Sequence, residues 1–463
     1  MKKVVVIGAN GAGMSAASQV KRQKPDWDVM VFEKGAYISY AACGIPYYVQ
    51  DVVSKFEKLV LVTPEMAIGE RKLDLRINSE VTAIEPEAKT VTVEGPEGVY
   101  SESFDYLVMA TGALPLTGDI KFKLSPDGSE KRVFFVNKLD DGVAIKALIE
   151  KGAVKKCAVI GAGYIGIEMM EAFKDRGLET HLVHRSSSLA RSFEPEISEI
   201  VMAEIEKSGV VMHLNNSVIG VSESVAGDNS NNNGEGAVTV HTEKGDLRFD
   251  LAILGTGVIP NSELAGRCGI ETGVKGSVRV NEYMQTNIPY IYAVGDCAET
   301  KSLVTGKPLH IALALKANKE GVIAGKHICG LQESFPGVLG SAITKFFELG
   351  IARTGLTFGE AEEEGFEPVK IKLSAGSKAH YYSGAGKMNI VLIASQKDGR
   401  LLGAQLTGPE DSVKRIDVYA TAITAAMTID DIYNLDLAYA PPFSPVYDPV
   451  VLSGRIGRKT WSS

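Results

Sequence analysis

The sequence lacks the features that would place it in a membrane, on a nucleic acid or in a secreted disulfide scaffold. No apolar run reaches the ~18 residues needed to cross a bilayer. Positive charge is not in excess: 49 Lys and Arg stand against 57 Asp and Glu, a formal net charge of −8, which argues against nucleic acid as the main partner. The five cysteines include no Cys-x-x-Cys pair, so neither a zinc site nor an extracellular cysteine framework is expected, and no metal. Lys2-Lys3 ahead of an apolar stretch imitates a signal peptide, but that stretch reads better as a strand feeding a glycine turn. The expectation is a cytoplasmic protein, away from membranes, whose thiols stay reduced unless used.

What is present is an ordinary globular composition, 45% apolar and 23% charged, with 48 glycines in 463 residues. At ~150 residues per domain this suggests three domains. Short β-branched runs alternate with helical patterns through the first two thirds, which predicts α/β architecture with parallel sheets built from βαβ units. The first unit is Val4-Val5-Val6-Ile7, the turn Gly8-Ala9-Asn10-Gly11-Ala12-Gly13, a helix from Met14, then a strand from Asp28 to Phe32. A second unit repeats that plan from Cys157 to Val183. Residues 224–236 are polar and low in complexity, and read as a mobile hairpin loop in the second domain with no assigned function. Beyond about Gly330 the glycine fingerprints stop, and strands such as 389–394 precede a helix over 413–427, an α+β unit of different character.

In a dinucleotide site, glycines allow a tight turn and let the pyrophosphate approach the backbone, while the helix N-terminus supplies unpaired N–H groups. The first turn departs from G-x-G-x-x-G, since Asn10 takes the middle glycine position and Gly11 follows it. Twenty positions after Gly13, however, Glu33 ends the next strand, where an acidic side chain can bind ribose hydroxyls. The second turn, Gly161-Ala162-Gly163-Tyr164-Ile165-Gly166, is a complete match. At its acidic position stands His184, followed by Arg185, with Arg191 nearby. That set suits a ribose 2′-phosphate, hence NADPH over NADH; the alternative is a solvated basic loop. Thr111-Gly112 ends a strand at the first nucleotide, and Gly295-Asp296 ends another with a carboxylate. Lys34, Gly257 and Ala312 complete the candidate cofactor contacts.

These residues in this order resemble the two-dinucleotide-binding-domain flavoproteins of the pyridine nucleotide-disulfide oxidoreductase family, through GAGYIGIE at 161–168 and YAVGDCAE at 292–299. The resemblance implies two Rossmann-like domains, FAD on the first fingerprint and NADPH or NADH on the second, plus a C-terminal α+β dimerisation domain that makes a homodimer. The implied division is 1–115 with 250–330 for FAD, 116–249 for the nicotinamide nucleotide, and 331–463 for dimerisation. It also implies Tyr164 as a gate between nicotinamide and flavin, with Glu168 near the nicotinamide.

Two-cysteine members carry Cys-x4-Cys, but five positions beyond Cys43 this chain has Tyr48. A lone cysteine followed by Pro46-Tyr47-Tyr48 resembles the coenzyme A disulfide reductase branch, whose cysteine forms a mixed disulfide with coenzyme A. Related single-cysteine peroxidases and oxidases place a histidine where this chain has Gly11. A thiolate can attack a disulfide sulfur, expel one thiol and remain as a mixed disulfide. A flavin and the helix N-terminus after Gly44 are expected to lower the Cys43 pKa. Cys157, Cys268, Cys297 and Cys329 read as inert. Carried over from the branch, Tyr381 and Tyr439 are candidate proton donors or orienters of the substrate sulfur, or else interface aromatics. Arg22, Ser39, Arg71 and Tyr382 are candidate substrate contacts, with Lys21 and Lys72 beside them. The expected activity is reduction of coenzyme A disulfide by NAD(P)H through FAD and Cys43. The alternatives are coenzyme A persulfide, polysulfide or sulfur reduction, NAD(P)H oxidation by oxygen, and a redox-sensing flavoprotein without turnover.

Overall fold

The computed structural model of the chain describes residues 1–124, 131–188, 192–223 and 237–461. Residues 224–236 and Arg191 lie outside the described residues. Val4, Val5 and Val6 have no exposed surface and sit in the strand Lys3–Ile7, at the centre of a five-stranded parallel sheet. Its order is Ile291–Ala293, Tyr106–Met109, Lys3–Ile7, Asp28–Phe32 and Asp74–Arg76. Runs buried on both faces, as here, are what parallel sheets covered by helices require. The helix Gly11–Gln23 covers this sheet and packs along the helix Ala314–Ile328.

The second five-stranded parallel sheet runs Val133–Phe134, Leu251–Leu254, Lys156–Ile160, Glu179–Val183 and Val211–His213. Leu251–Leu254 was expected in the first domain, whose second segment was set to begin at 250. The structure moves that boundary: Leu251 to Leu254 are buried in the second sheet, and the Asp250 carboxylate ties them to the start of the strand Lys156–Ile160 by accepting from the Lys155 and Lys156 N–H groups at 2.8 and 2.9 Å. The chain returns where Val258–Pro260 pairs antiparallel with Ala113–Pro115, so the outgoing and incoming linkers lie side by side.

The C-terminal unit is an antiparallel five-stranded sheet, in the order Ala342–Phe346, Leu349–Gly355, Leu401–Pro409, Lys387–Ser395 and Pro368–Gly376. The helix expected over 413–427 is shorter: a 3₁₀ turn, Ser412–Arg415, leads into Ile416–Thr424. It ends because Ala426 takes a left-handed backbone, φ +53°, which breaks the α ladder. Among the described residues no helix is long and apolar enough to cross a membrane.

Candidate active site

The first nucleotide turn is held by close backbone approach. A Cβ on Gly13 would lie 1.9 Å from the Gly8 carbonyl oxygen, so helix and strand meet only with glycine there. Glu33 stands at the mouth of this turn. One carboxylate oxygen accepts from the Ala9 N–H and the other from the Gly35 N–H, both at 2.8 Å, which pins the group where a ribose hydroxyl can reach it. Lys34 points to the surface instead, paired with Glu80 at 2.7 Å. Thr111 and Gly112 are tied to Asn261, a residue the sequence reading missed: Thr111 Oγ1 donates to the Asn261 carbonyl at 2.6 Å, and Asn261 N–H donates to the Gly112 carbonyl at 3.0 Å. Gly257 lies in the linker, its carbonyl accepting from Leu116 N–H at 2.9 Å, and Ala312 sits just ahead of the helix Ala314–Ile328.

Asp296 closes this site in the turn Gly295–Cys297. Its Oδ1 is buried and has no hydrogen-bond partner among the described residues, and burial pushes the carboxyl up from the usual range. Buried polar atoms are nearly always satisfied, so such an oxygen marks the place of a hydroxyl-bearing ligand. With the glycine turn and Glu33, it fits the ribityl and ribose chemistry of FAD.

The second turn repeats the design, since a Cβ on Gly166 would meet the Gly161 carbonyl oxygen at 2.2 Å. Gly163 caps the helix Tyr164–Asp175, and Tyr164 and Ile165 open it. The Tyr164 hydroxyl is buried with no partner among the described residues, its ring lies edge-on to Phe193 at 5.8 Å, and burial pushes its pKa to about 12. Glu168, one turn on, accepts from Thr344 Oγ1 of the C-terminal sheet at 2.9 Å, while burial raises its carboxyl. Arg185 is exposed beyond the strand end, in keeping with a phosphate contact. His184 is not: it is buried, and its ring Nε2 is bonded to the Ser188 carbonyl at 2.9 Å.

Cys43 occupies the turn Ala42–Gly44, directly ahead of the short helix Ile45–Gln50. It alone of the five cysteines is exposed; Cys157 and Cys297 are buried, Cys268 and Cys329 half-buried. The protein groups around it do not supply the expected lowering of its pKa. Packed protein around the thiol desolvates it and pushes the pKa up, and the carboxylates of Glu168 and Asp296 push the same way, against one backbone hydrogen bond. A six-residue helix does not outweigh two carboxylates. Tyr47, on the next turn, is raised to about 12 by burial and by the charges of Glu168, Glu171, Glu410 and Cys43.

Glu171 is the structural hub that sequence reasoning missed. It is 4% exposed, and one oxygen pairs with Lys345 at 2.7 Å and accepts from Gln50 at 3.2 Å; the other accepts from Phe347 N–H at 2.9 Å. One carboxylate thus joins the cysteine helix, the second nucleotide domain and the C-terminal sheet.

The remaining candidates fall in two groups. Ala379 N–H donates to the Pro441 carbonyl at 3.3 Å, bringing the 379–382 and 439–441 segments together, and a hydrogen bond donated to Tyr381 raises the Tyr439 hydroxyl. Tyr381, Tyr382 and Tyr439 are all exposed. Arg71 Nη1 donates to Ser18 Oγ and Arg22 Nη1 to Gln19 Oε1, each at 2.9 Å, so both cations flank the first helix. Ser39, at φ +45°, donates its N–H to the Ala9 carbonyl at 2.8 Å beside the first turn. Lys21 is spent on the Trp27 carbonyl at 2.8 Å.

Comparison with known proteins agrees with this arrangement. Residues 2–321 match the pyridine nucleotide-disulphide oxidoreductase family, and residues 341–449 its dimerisation domain. The chain is 42% identical over 456 residues to the NAD(P)H sulfur oxidoreductase (CoA-dependent) of Pyrococcus furiosus, covering 98% of this chain and 99% of that one. It is 31% identical over 461 residues to the coenzyme A disulfide reductase of Staphylococcus aureus, covering 98% and 99%. The solved structure of an NAD-dependent persulfide reductase from A. fulgidus matches with a TM-score of 0.91 at 34% identity, covering 100% of this chain and 84% of that one. Two glycine turns fitted to dinucleotides, an orphaned Asp296 oxygen and a C-terminal dimerisation sheet are thus explained together: the chain belongs to the pyridine nucleotide-disulphide oxidoreductase family, as an FAD-dependent NAD(P)H oxidoreductase.

Proposed function

We propose that the protein reduces the sulfur–sulfur bond of coenzyme A disulfide with NAD(P)H, Cys43 carrying the thiol step. The observation that carries this reading is the isolation of Cys43: it is the one exposed cysteine, beside Glu168 and Asp296, with no second cysteine at 48 to resolve it. A lone thiol of this kind can accept one half of a disulfide and must hold it until two electrons arrive. FAD, when bound, supplies those electrons after taking a hydride from the nicotinamide.

The chain's own residues then have distinct tasks. Cys43 Sγ attacks one substrate sulfur and expels the other as a thiolate. The hydrogen-bonded Tyr381–Tyr439 pair, exposed on the dimerisation domain, would offer that thiolate a proton across the homodimer. Arg22 and Arg71 would hold the phosphates at the other end of the substrate, with Ser39 and Tyr382 between. Arg185, one position beyond the place where the first domain has Glu33, favours NADPH over NADH. Coenzyme A persulfide presents the same electrophilic sulfur to the same thiol, and the name of a 40%-identical relative, an NAD(P)H coenzyme A polysulfide/persulfide reductase, favours it as a second substrate.

Trapping tests the thiol step directly. Incubation with coenzyme A disulfide should add one coenzyme A per chain to the Cys43 peptide by mass spectrometry, and NADPH should remove it. Absence of the adduct in wild type, or its appearance on another cysteine, would reject Cys43 as the acceptor.

A further inference from the structure

A buried ion pair lies directly beneath the turn that presents Asp296. Lys316 and Glu320, one turn apart on the helix Ala314–Ile328, are paired at 3.1 Å, and neither side chain has any exposed surface. Both act on the backbone of a single residue of the neighbouring segment, Gly295. Lys316 Nζ donates to the Gly295 carbonyl at 2.8 Å and to the Ala298 carbonyl at 3.2 Å. Glu320 Oε2 accepts from the Gly295 N–H at 2.9 Å, while its Oε1 has no partner among the described residues. Gly295 is therefore held at both its N–H and its C=O, and the residue after it is Asp296.

Stability is a poor reason for such a pair. Taking two charges out of water costs several kcal/mol each, and apolar replacement of a buried pair is often neutral or stabilising. The helix position itself asks only for apolar packing against the first helix. What the pair does that apolar side chains cannot is fix the two peptide groups that flank Gly295.

We propose that Lys316 and Glu320 are a positioning pair for the flavin, clamping Gly295 at both its N–H and its C=O so that Asp296 offers its unpartnered oxygen to the cofactor. Asp296 faces Lys316 and His310, whose ring bonds the Asp296 carbonyl at 2.8 Å; Thr300 and Cys297 complete the polar surroundings of the pair. Burial holds the Glu320 carboxyl above the usual range in spite of Lys316, as a group kept for position rather than solvation would be. The inference rests on FAD occupying the first nucleotide domain, which the visible flavin spectrum of the purified protein reports separately.

The test is a cycle of three variants, K316M/E320M, D296N and their combination. Each holoenzyme is diluted, and the FAD dissociation constant is read from recovered flavin fluorescence, with far-UV circular dichroism as the folding control. K316M/E320M should keep its secondary structure and lose at least 10-fold in FAD affinity. D296N should lose a similar factor. The combined variant should lose little beyond either, because the pair acts through Asp296. Unchanged FAD affinity in K316M/E320M, or losses that multiply in the combined variant, would overturn the proposal. Should K316M/E320M not fold, the uncharged K316M/E320Q keeps an acceptor for the Gly295 N–H, and the same cycle with D296N decides in the same way.

Discussion

Replacing Glu171 with alanine should loosen the junction of all three domains. The substitution removes acceptors from Phe347 N–H, Lys345 and Gln50 at once. Their contributions differ. The Phe347 N–H donates into a carboxylate that is 4% exposed, and a buried donor left unmet costs ~1–3 kcal/mol. Lys345 is 27% exposed and can turn to water, so its loss adds ~1 kcal/mol. Gln50 retains Asp175 at 2.6 Å and should add almost nothing. The total is about 2–4 kcal/mol, or roughly 4–8 °C at the ~2 °C per kcal/mol of a large domain. Glu171→Gln keeps an acceptor for Phe347 N–H and should recover about half of the loss. Scanning calorimetry of the holoenzyme measures this, with Lys34→Ala as the control, because the Lys34–Glu80 pair is largely exposed and worth ~0–1 kcal/mol. A Glu171→Ala midpoint no lower than that of the control would refute the hub.

Other perturbations probe the site itself. The Glu168 carboxylate raises the Cys43 pKa, so Glu168→Gln should move the pH profile of Cys43 alkylation to lower pH; a profile that stays in place, or moves up, contradicts their proximity. Gly13→Ala drives a Cβ to 1.9 Å from a backbone oxygen and should yield FAD-free protein, whereas Gly11→Ala meets only the Asn318 side chain at 3.2 Å and should retain flavin; equal flavin content in the two would be the wrong result. Arg185→Ala should raise KM for NADPH about 10-fold or more, the loss of a charged hydrogen bond of ~1.5–3 kcal/mol, and leave NADH nearly unaffected; equal changes would remove the 2′-phosphate role.

The legible part of the fold was that written in local steric demands. Gly8-x4-Gly13 and Gly161-x4-Gly166 announce two nucleotide domains because in each case a Cβ would strike the preceding turn, and a sequence shows that directly. Glu33 was readable for the same reason, since its distance from the turn is fixed by one βα unit. Leu251–Leu254 was not, because an apolar strand does not say which of two parallel sheets will bury it. Glu171, Thr344, Lys316 and Glu320 were invisible as well. Their roles come from partners 18 to 176 positions away, or from a helix face whose neighbour only the tertiary fold supplies. The direction in which the protein groups shift the Cys43 pKa was hidden similarly: the short helix is local, but the burial that dominates it, and the carboxylates of Glu168 and Asp296, come from the tertiary fold. His184 shows the converse case, where a correct position in the motif carries a side chain that the loop has turned inward.

The central claim is that electrons from the nicotinamide leave the protein through the Cys43 thiol. Anaerobic NADPH consumption with coenzyme A disulfide, compared between wild type and Cys43→Ser, addresses it most directly. Turnover in wild type that disappears in a variant still carrying its full complement of FAD is the predicted result. Equal turnover in both would contradict the claim, because electrons would then reach the disulfide without that sulfur.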